Sequence, residues 1–272
     1  MDQGPNSKQT APGKVFIVGA GPGDPELLTV KAERLISRAA LILHDDLVPP
    51  TILALAGPQA EVTSVGKRFG AKGAAQAEIN ERMIDGARRG LEVVRLKGGD
   101  PGIFGRLAEE IDALEAAGVA YQIVPGVTAG LAAAASLGVS LTDRRKAARV
   151  IVVTNHQAQE ASRPQAADWR GLIRDDSTLV IYMPGRDFAG LGAELLAAGC
   201  APEVPAALVS RASAPDERYQ YTTVGRLYNL SRLDSPAVLL IGRSLDRVAR
   251  RGDSGSAFAF DEAELLLSSL EA

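Results

Sequence analysis

Gly98, Gly99 and Asp100 end an apolar, β-branched run in the stretch Val93 to Arg106, V-V-R-L-K-G-G-D-P-G-I-F-G-R. A glycine pair lets the backbone approach a ligand with no Cβ in the way, and the carboxyl edge of a parallel sheet is where α/β proteins bind small molecules. A second stretch has the same form. Val15 to Val18 is an apolar strand that runs into Gly19-Ala20-Gly21-Pro22-Gly23-Asp24-Pro25. Its Gly-x-Gly spacing invites a dinucleotide reading, with Asp45, at the end of the next strand, placed to hold a ribose. Two residues oppose it. A pyrophosphate cradle points N–H groups at anionic oxygens, whereas Pro22 has no N–H and Asp24 puts a carboxylate at the helix start, where a third glycine should stand. The loop better fits a ligand without phosphates. The alternative, an NAD-dependent oxidoreductase, rests on Gly19, Gly21 and Asp45 alone.

Strand, loop and helix alternate to position these residues. After the first loop, Glu26 to Ala39 carries helical periodicity through Leu27, Val30, Leu35 and Ile36, with Asp24 as N-cap and Pro25 at the first helical position. Ala40 to Leu43 reads as a strand ending at His44-Asp45-Asp46, followed by a short helical stretch at Ile52 to Ala56. Glu61 to Val65 leads to Gly66-Lys67-Arg68, then to a helix bearing Ile79, Met83, Ile84 and Ala87 that Gly90 ends. The Val93 strand is followed by a helix with Leu107, Ile111 and Leu114 inward, Glu109 and Glu110 early in its course, and Gly118 at its close. Tyr121 to Val124 is a strand, and Pro125 opens a small-residue helix running to about Leu137. A second series of strands follows at 150–154, 178–183, 206–209, 219–224 and 237–241, with a helix at 188–198. The alternation at Arg218 to Arg226 suits an antiparallel hairpin.

The expected architecture is therefore two α/β domains, the first with a mainly parallel sheet and the second with a mixed one. The divisions are a leader at 1–14, an N-terminal domain at 15–124, a C-terminal domain at 125–247 and a tail at 248–272, in which Asp261 to Leu270 forms a short acidic helix. At 272 residues the chain can bury a sizeable core. A net charge of -3 argues against a general nucleic-acid binder. Cys200 is the sole cysteine and His44 and His156 the only histidines, so a disulfide within the chain is impossible and a dedicated zinc site is not expected. The leader lacks the apolar segment of a secretory signal, and no stretch reaches the roughly 20 apolar residues that span a bilayer, so a cytoplasmic protein without a membrane role is expected.

Five elements occur in one order: G-A-G-P-G-D-P-E-L-L-T (19 to 29), H-D-D-L-V (44 to 48), V-G-K-R (65 to 68), R-L-K-G-G-D-P-x-I-F-G-R (95 to 106) and V-P-G-V-T-A (124 to 129). This order resembles the tetrapyrrole methylases over about residues 15 to 245. The F-G-R-x-x-E-E and V-G-K-R elements are most similar to the members that methylate uroporphyrinogen-III at C2 and C7 to give precorrin-2. The resemblance implies S-adenosylmethionine bound in a cleft between two domains, a homodimer, and no metal. It also accounts for the odd glycine loop, since S-adenosylmethionine carries a cationic sulfonium and no phosphate. By carry-over, Pro22, Gly98, Gly99, Asp100, Ile103, Thr128, Ala129, Met183 and Ala212 contact the cofactor. Asp45 is the proton acceptor and Lys67 the proton donor. Arg106 is given either a base or a substrate-contact role, and chemistry favours contact, because a guanidinium rarely yields its proton while its fork matches a carboxylate. Arg68, Arg106, Arg144, Glu109 and His156 are the positions implied for the polycarboxylate substrate.

Several positions depart from the family pattern. Gly102 stands where Phe is typical, Leu107 and Ala108 replace glycines, Ser140 and Asp143 replace Pro and His, and Asn155 and Ala212 replace glycines. Asp143 matters most, because an acid beside a polyanion is unfavourable unless Arg144 or Arg145 neutralises it.

Overall fold

The computed structural model describes residues 13–66, 72–155 and 169–248. Residues 1–12 of the leader, Lys67, Arg68, His156 and the tail beyond residue 248 lie outside the described residues, while Lys14, expected in the leader, opens the first strand. Among the described residues ten strands form two sheets. In the first, β1 (Lys14–Gly19), β2 (Leu41–His44), β3 (Glu61–Ser64), β4 (Glu92–Lys97) and β5 (Tyr121–Val124) are ordered β3-β2-β4-β1-β5. All four pairings are parallel. In the second, β6 (Arg149–Thr154), β7 (Ser177–Tyr182), β8 (Pro205–Ser210), β9 (Arg218–Thr223) and β10 (Ala237–Ile241) are ordered β6-β7-β10-β8-β9. Only β6 and β7 run parallel, so this sheet is mixed, and β8 and β9 form the expected antiparallel pair.

A strand covered on both faces is apolar throughout, and β1 follows that rule. Val15 and Ile17 pack against Met83 and Leu114 on one side, while Phe16 and Val18 join Leu35, Ile36 and Ile52 on the other. The covering helices are α1 (Val30–Arg38) and the one-turn α2 (Pro50–Leu53) on the latter face, with α3 (Lys72–Arg88) and α4 (Leu107–Ala116) on the former. On β4 the period-2 alternation sends Val94 and Leu96 to the α1 face and Val93 to the α3 and α4 face. Arg95 and Lys97 continue the Val93 face, each only 4% exposed. The next helix, α5 (Ala129–Ser136), packs Ala132 and Ala133 with Val180, Val209 and Val238 of the second sheet. The other face of that sheet is covered by Trp169 of the one-turn α6 (Trp169–Leu172) and by Phe188, Leu191 and Leu195 of α7 (Phe188–Ala197).

Three expectations change. The helix predicted from Glu26 to Ala39 is a short 3-10 turn, Pro25–Leu27, followed by α1. Leu28 and Thr29 are extended between the two, and Thr29 caps α1 by accepting from the Ala32 N–H at 3.1 Å. Asp24 caps only the turn, and Val30, expected inward, is 81% exposed. The small-residue helix begins at Ala129, not Pro125, leaving Pro125 to Thr128 as a loop. Strand β7 stops at Tyr182, so Met183 falls after it in a left-handed turn, φ 48°. Among the described residues no helix is long and apolar enough to cross a membrane.

Candidate active site

The connections after β1, β2, β4 and β5 leave the carboxyl edge of the first sheet, and those after β1 and β4 are bonded to each other by backbone. Gly21 and Gly99 form an isolated antiparallel bridge, with Gly99 N–H donating to Gly21 O at 2.7 Å and Gly21 N–H to Gly99 O at 3.2 Å. Both glycines have positive φ, 72° and 69°, which explains the residue type. Closeness explains two more. A Cβ on Gly126 would lie 2.3 Å from Gly99 O, and one on Gly19 would lie 2.6 Å from both Gly99 O and Gly126 N. The glycines of the first, fourth and fifth elements therefore make a single backbone surface.

Two acids fasten it. Asp100 accepts from Gly126 N–H at 3.0 Å through Oδ2 and from Gly102 N–H at 2.8 Å through Oδ1, joining the β4 and β5 loops. Asp45 accepts from Leu47 N–H at 3.1 Å and from Gly98 N–H at 3.3 Å, joining the β2 and β4 loops. Gly102 is exposed, and among the described residues a Cβ placed there would meet that same Asp100 oxygen at 3.1 Å. Pro22 and Ile103 are half-buried in the two loops that bracket this surface.

The second sheet reaches it at two points. Tyr182, at the end of β7, pairs its hydroxyl with Thr128 Oγ1 at 2.6 Å and accepts from Gly130 N–H at 2.7 Å, capping the start of α5. Its ring stands 5.3 Å from that of Phe104, tilted by 56°. Ala212 is buried in the turn after β8, and its neighbour Ser213 accepts at Oγ from Asp24 N–H at 3.4 Å. Glu217 holds that turn, accepting from Ser213 N–H at 2.6 Å and from the Ser136 hydroxyl at 2.7 Å. Thr128 and Ala129 thus border Gly99, where a Cβ would lie 3.9 Å from Thr128 Cα and 4.0 Å from Ala129 N, while Met183 follows Tyr182 and Ala212 precedes Ser213 in contacts that the sequence did not reveal. Tyr182 and Glu217 are the residues missed, and only the position of Tyr182, one before Met183 at a strand end, could have suggested it.

The described non-glycine residues with positive φ are Phe104, Arg106, Met183, Arg211 and Ser213. All five stand in the turns that follow β4, β7 and β8. Such conformations are strained in L residues and concentrate at functional sites, so their distribution marks the same edge independently of any motif.

The cationic residues are further out. Arg106, the residue before α4, makes a two-pronged pair with Glu109, Nε to Oε1 at 2.8 Å and Nη2 to Oε2 at 2.5 Å, both side chains being about four-tenths exposed. Its fork matches a carboxylate as anticipated, and here the carboxylate is the chain's own. Arg144 is exposed. Asp143 beside it is gripped by Arg145, whose Nε and Nη2 donate to the two carboxylate oxygens at 3.0 and 2.8 Å. The Arg145 guanidinium and backbone N–H hold the Asp143 carboxyl well below the usual carboxylate range. Of the two cations that could neutralise Asp143, Arg145 does so. Among the described residues no cluster of three or more His, Cys, Asp or Glu could hold a metal ion.

Comparison with known proteins gives this arrangement its relatives. The family model of tetrapyrrole (corrin/porphyrin) methylases matches residues 14–228. The chain is 41% identical over 254 residues to a siroheme synthase of Tolumonas auensis, covering 93% of this chain and 53% of that one. It thus spans about half the length of the siroheme synthases it matches. It is 44% identical over 233 residues to a uroporphyrinogen-III C-methyltransferase of Pseudomonas aeruginosa, covering 85% of this chain and 93% of that one. Among solved structures, a uroporphyrin-III C-methyltransferase of Thermus thermophilus complexed with S-adenosyl homocysteine superposes with a TM-score of 0.74 at 38% identity, covering 86% of this chain and 93% of that one. A cobalt precorrin-4 methyltransferase gives a TM-score of 0.77 at 32% identity, covering 86% and 96%. The dinucleotide alternative is set aside, and the chain belongs to the tetrapyrrole methylase family.

Proposed function

We propose that this chain is an S-adenosylmethionine-dependent methyltransferase that methylates uroporphyrinogen-III at C2 and C7 to give precorrin-2. The observation that carries the reading is the convergence of Gly21, Gly99, Asp100, Gly126 and Thr128 on one backbone surface, in a chain 44% identical to a uroporphyrinogen-III C-methyltransferase along nearly all of that protein's length. This surface fits S-adenosylmethionine. It offers backbone groups and small side chains, and with Pro22 and the Asp24 carboxylate in the first loop it lacks the N–H cluster that a phosphate requires. Pro22, Gly98, Gly99, Asp100, Ile103, Thr128, Ala129, Met183 and Ala212 would hold the cofactor, in a cleft between an N-terminal domain ending near Val124 and a C-terminal domain beginning at Pro125.

When bound, the cofactor supplies an electrophilic methyl group, and the protein's task is to place an electron-rich pyrrole carbon in line with it away from water. Asp45 accepts the proton that leaves the macrocycle. Its carboxylate is fixed by the Leu47 and Gly98 amides, so its orientation is set before substrate arrives. Lys67 is the proton donor. Arg106, Arg68, Arg144 and His156 bind the carboxylates of the substrate, with Glu109 holding the Arg106 fork flat until a substrate carboxylate replaces it. The lone cysteine, buried and unpaired, suits a reducing cytoplasm, where we place the protein as a homodimer.

Calorimetry of the purified protein with S-adenosylhomocysteine and with NAD tests the cofactor assignment. Micromolar or tighter binding of the first and none of the second is expected on the usual affinity scale. The reverse pattern would return the dinucleotide reading to the front.

A further inference from the structure

Beneath the site lies a cluster of charges that no step above uses. Glu110 of α4 is fully buried, and Arg95 and Lys97 of β4 are each 4% exposed. Glu110 Oε1 accepts from Arg95 Nε at 2.9 Å and from Lys97 Nζ at 2.9 Å, and Oε2 accepts from Lys97 Nζ at 2.9 Å. Arg95 also donates from Nη1 to Leu43 O at 3.3 Å and to Leu96 O at 3.0 Å. Two cations meet one anion, which leaves one positive charge in excess inside the protein. Desolvating three ions is expensive, and apolar replacements often serve stability equally well, so stability alone is a poor reason for such a cluster.

Its location gives a better one. Leu43 O belongs to β2, two residues before Asp45. Lys97 directly precedes Gly98, whose N–H holds Asp45 Oδ2, and Lys97 O accepts from Ala20 N–H at 2.7 Å in the glycine loop. Gly105 lies against the ammonium end, since a Cβ there would be 3.0 Å from Lys97 Cε. Glu110 belongs to the first turn of the helix that Arg106 precedes. The cluster therefore touches the ends of β2 and β4, the first loop, and the start of α4. Burial first, and Arg95 second, push the Lys97 ammonium below its ordinary range, while Glu110 and Asp45 act in the opposite sense. Among the described residues the other ionisable groups at this edge are Asp24 in the first loop, His44 and Asp46 beside Asp45, Asp100 in the β4 loop, and the Arg106–Glu109 pair at the start of α4.

We propose that Arg95, Lys97 and Glu110 are positioning residues, a buried charged cluster that holds the β4 edge in place and, through the Gly98 amide next to Lys97, the Asp45 carboxylate. The proposal rests on Asp45 being the proton acceptor. Lys97→Met leaves an Arg95–Glu110 pair without the ammonium that bridges both Glu110 oxygens. In a folded Lys97→Met protein kcat should fall at least about tenfold while KM changes less than about threefold, and Lys97→Arg should restore most of the rate. An unchanged kcat, or a loss that Lys97→Arg does not restore, overturns the proposal. Asp45→Asn, measured in parallel, separates the two assignments. If it removes turnover, Asp45 acts in the reaction and the Lys97 variant is judged as stated. If it keeps the wild-type rate, the assignment of Asp45 fails and the positioning role falls with it.

Substitution of all three ions supplies the control for folding. Arg95→Met, Lys97→Met and Glu110→Leu together should keep the thermal midpoint, as apolar replacements of buried ion clusters commonly do, yet bind S-adenosylhomocysteine at least about tenfold more weakly. Wild-type affinity and turnover in that variant would reduce the cluster to a filler of space and overturn the proposal.

Discussion

Removing a single oxygen from Tyr182 tests whether the second sheet shapes the site. In Tyr182→Phe the ring and its 5.3 Å contact with Phe104 are retained, so no large cavity opens. What is lost is the pair of hydrogen bonds, at 2.6 Å to Thr128 Oγ1 and at 2.7 Å from Gly130 N–H. The Thr128 hydroxyl is part-buried and can turn to another acceptor, so its loss is the smaller. Gly130 is buried, and its amide is among the first N–H groups of α5, which no carbonyl within the helix can satisfy. Each lost hydrogen bond is worth about 0.5 to 1.5 kcal/mol and a stranded donor about 1 to 3 kcal/mol, so a total of about 2 kcal/mol is expected. Urea unfolding should show a lower midpoint at unchanged slope. Because Thr128 also belongs to the proposed cofactor surface, the Kd for S-adenosylhomocysteine should rise by about threefold to thirtyfold, equivalent to about 0.7 to 2 kcal/mol. A variant within about 0.5 kcal/mol of wild type in stability, with an unaltered Kd, would show that Tyr182 shapes nothing and refute the reasoning.

Gly126→Ala forces a Cβ to within 2.3 Å of Gly99 O, backbone against backbone, so the β4 and β5 loops must separate, and S-adenosylhomocysteine binding should fall below detection by calorimetry while the circular dichroism spectrum is kept. Glu217→Ala frees the turn that brings Ser213 to Asp24, and should weaken S-adenosylhomocysteine binding severalfold, with Glu217→Gln, which still offers an acceptor oxygen, retaining most of the affinity. Asp143→Asn releases Arg145 without burying anything; the KM for uroporphyrinogen should fall, and more so at low ionic strength, as checked by initial rates at two salt concentrations. Burial raises the Cys200 thiol from an ordinary value of 9.0 to about 11, so the unfolded chain loses that proton first and stability should decline as pH rises through this interval, which urea midpoints above pH 9 would register.

The parts of the fold that follow from period and punctuation were legible in the residues. The strands of both sheets, the closing glycines and the antiparallel pairing of β9 all follow from alternation, apolar runs and positive-φ positions. Thr29 is hard to read as a cap because Asp24-Pro25 signals a helix start equally well, and two caps five residues apart can be reconciled only by breaking the helix. The site divides in the same way. Asp45, Asp100 and the glycines announce themselves by standing at strand ends. Tyr182 does not, since a tyrosine ending an apolar strand is unremarked until the helix that it caps is folded against it. Arg95 and Lys97 do carry a signal: charged residues alternating with Leu96 on a strand buried on both faces require a buried counterion, and α4 supplies it at Glu110. What alternation cannot show is the neighbour across the sheet, and that neighbour makes the cluster part of the site.

The central claim is most directly tested by the mass of the product formed from uroporphyrinogen-III and S-adenosylmethionine under anaerobic conditions. Two added methyl groups on the macrocycle, with none in an Asp45→Asn control, is the predicted result. No mass gain in the presence of bound cofactor, or methylation of a different tetrapyrrole only, would contradict it.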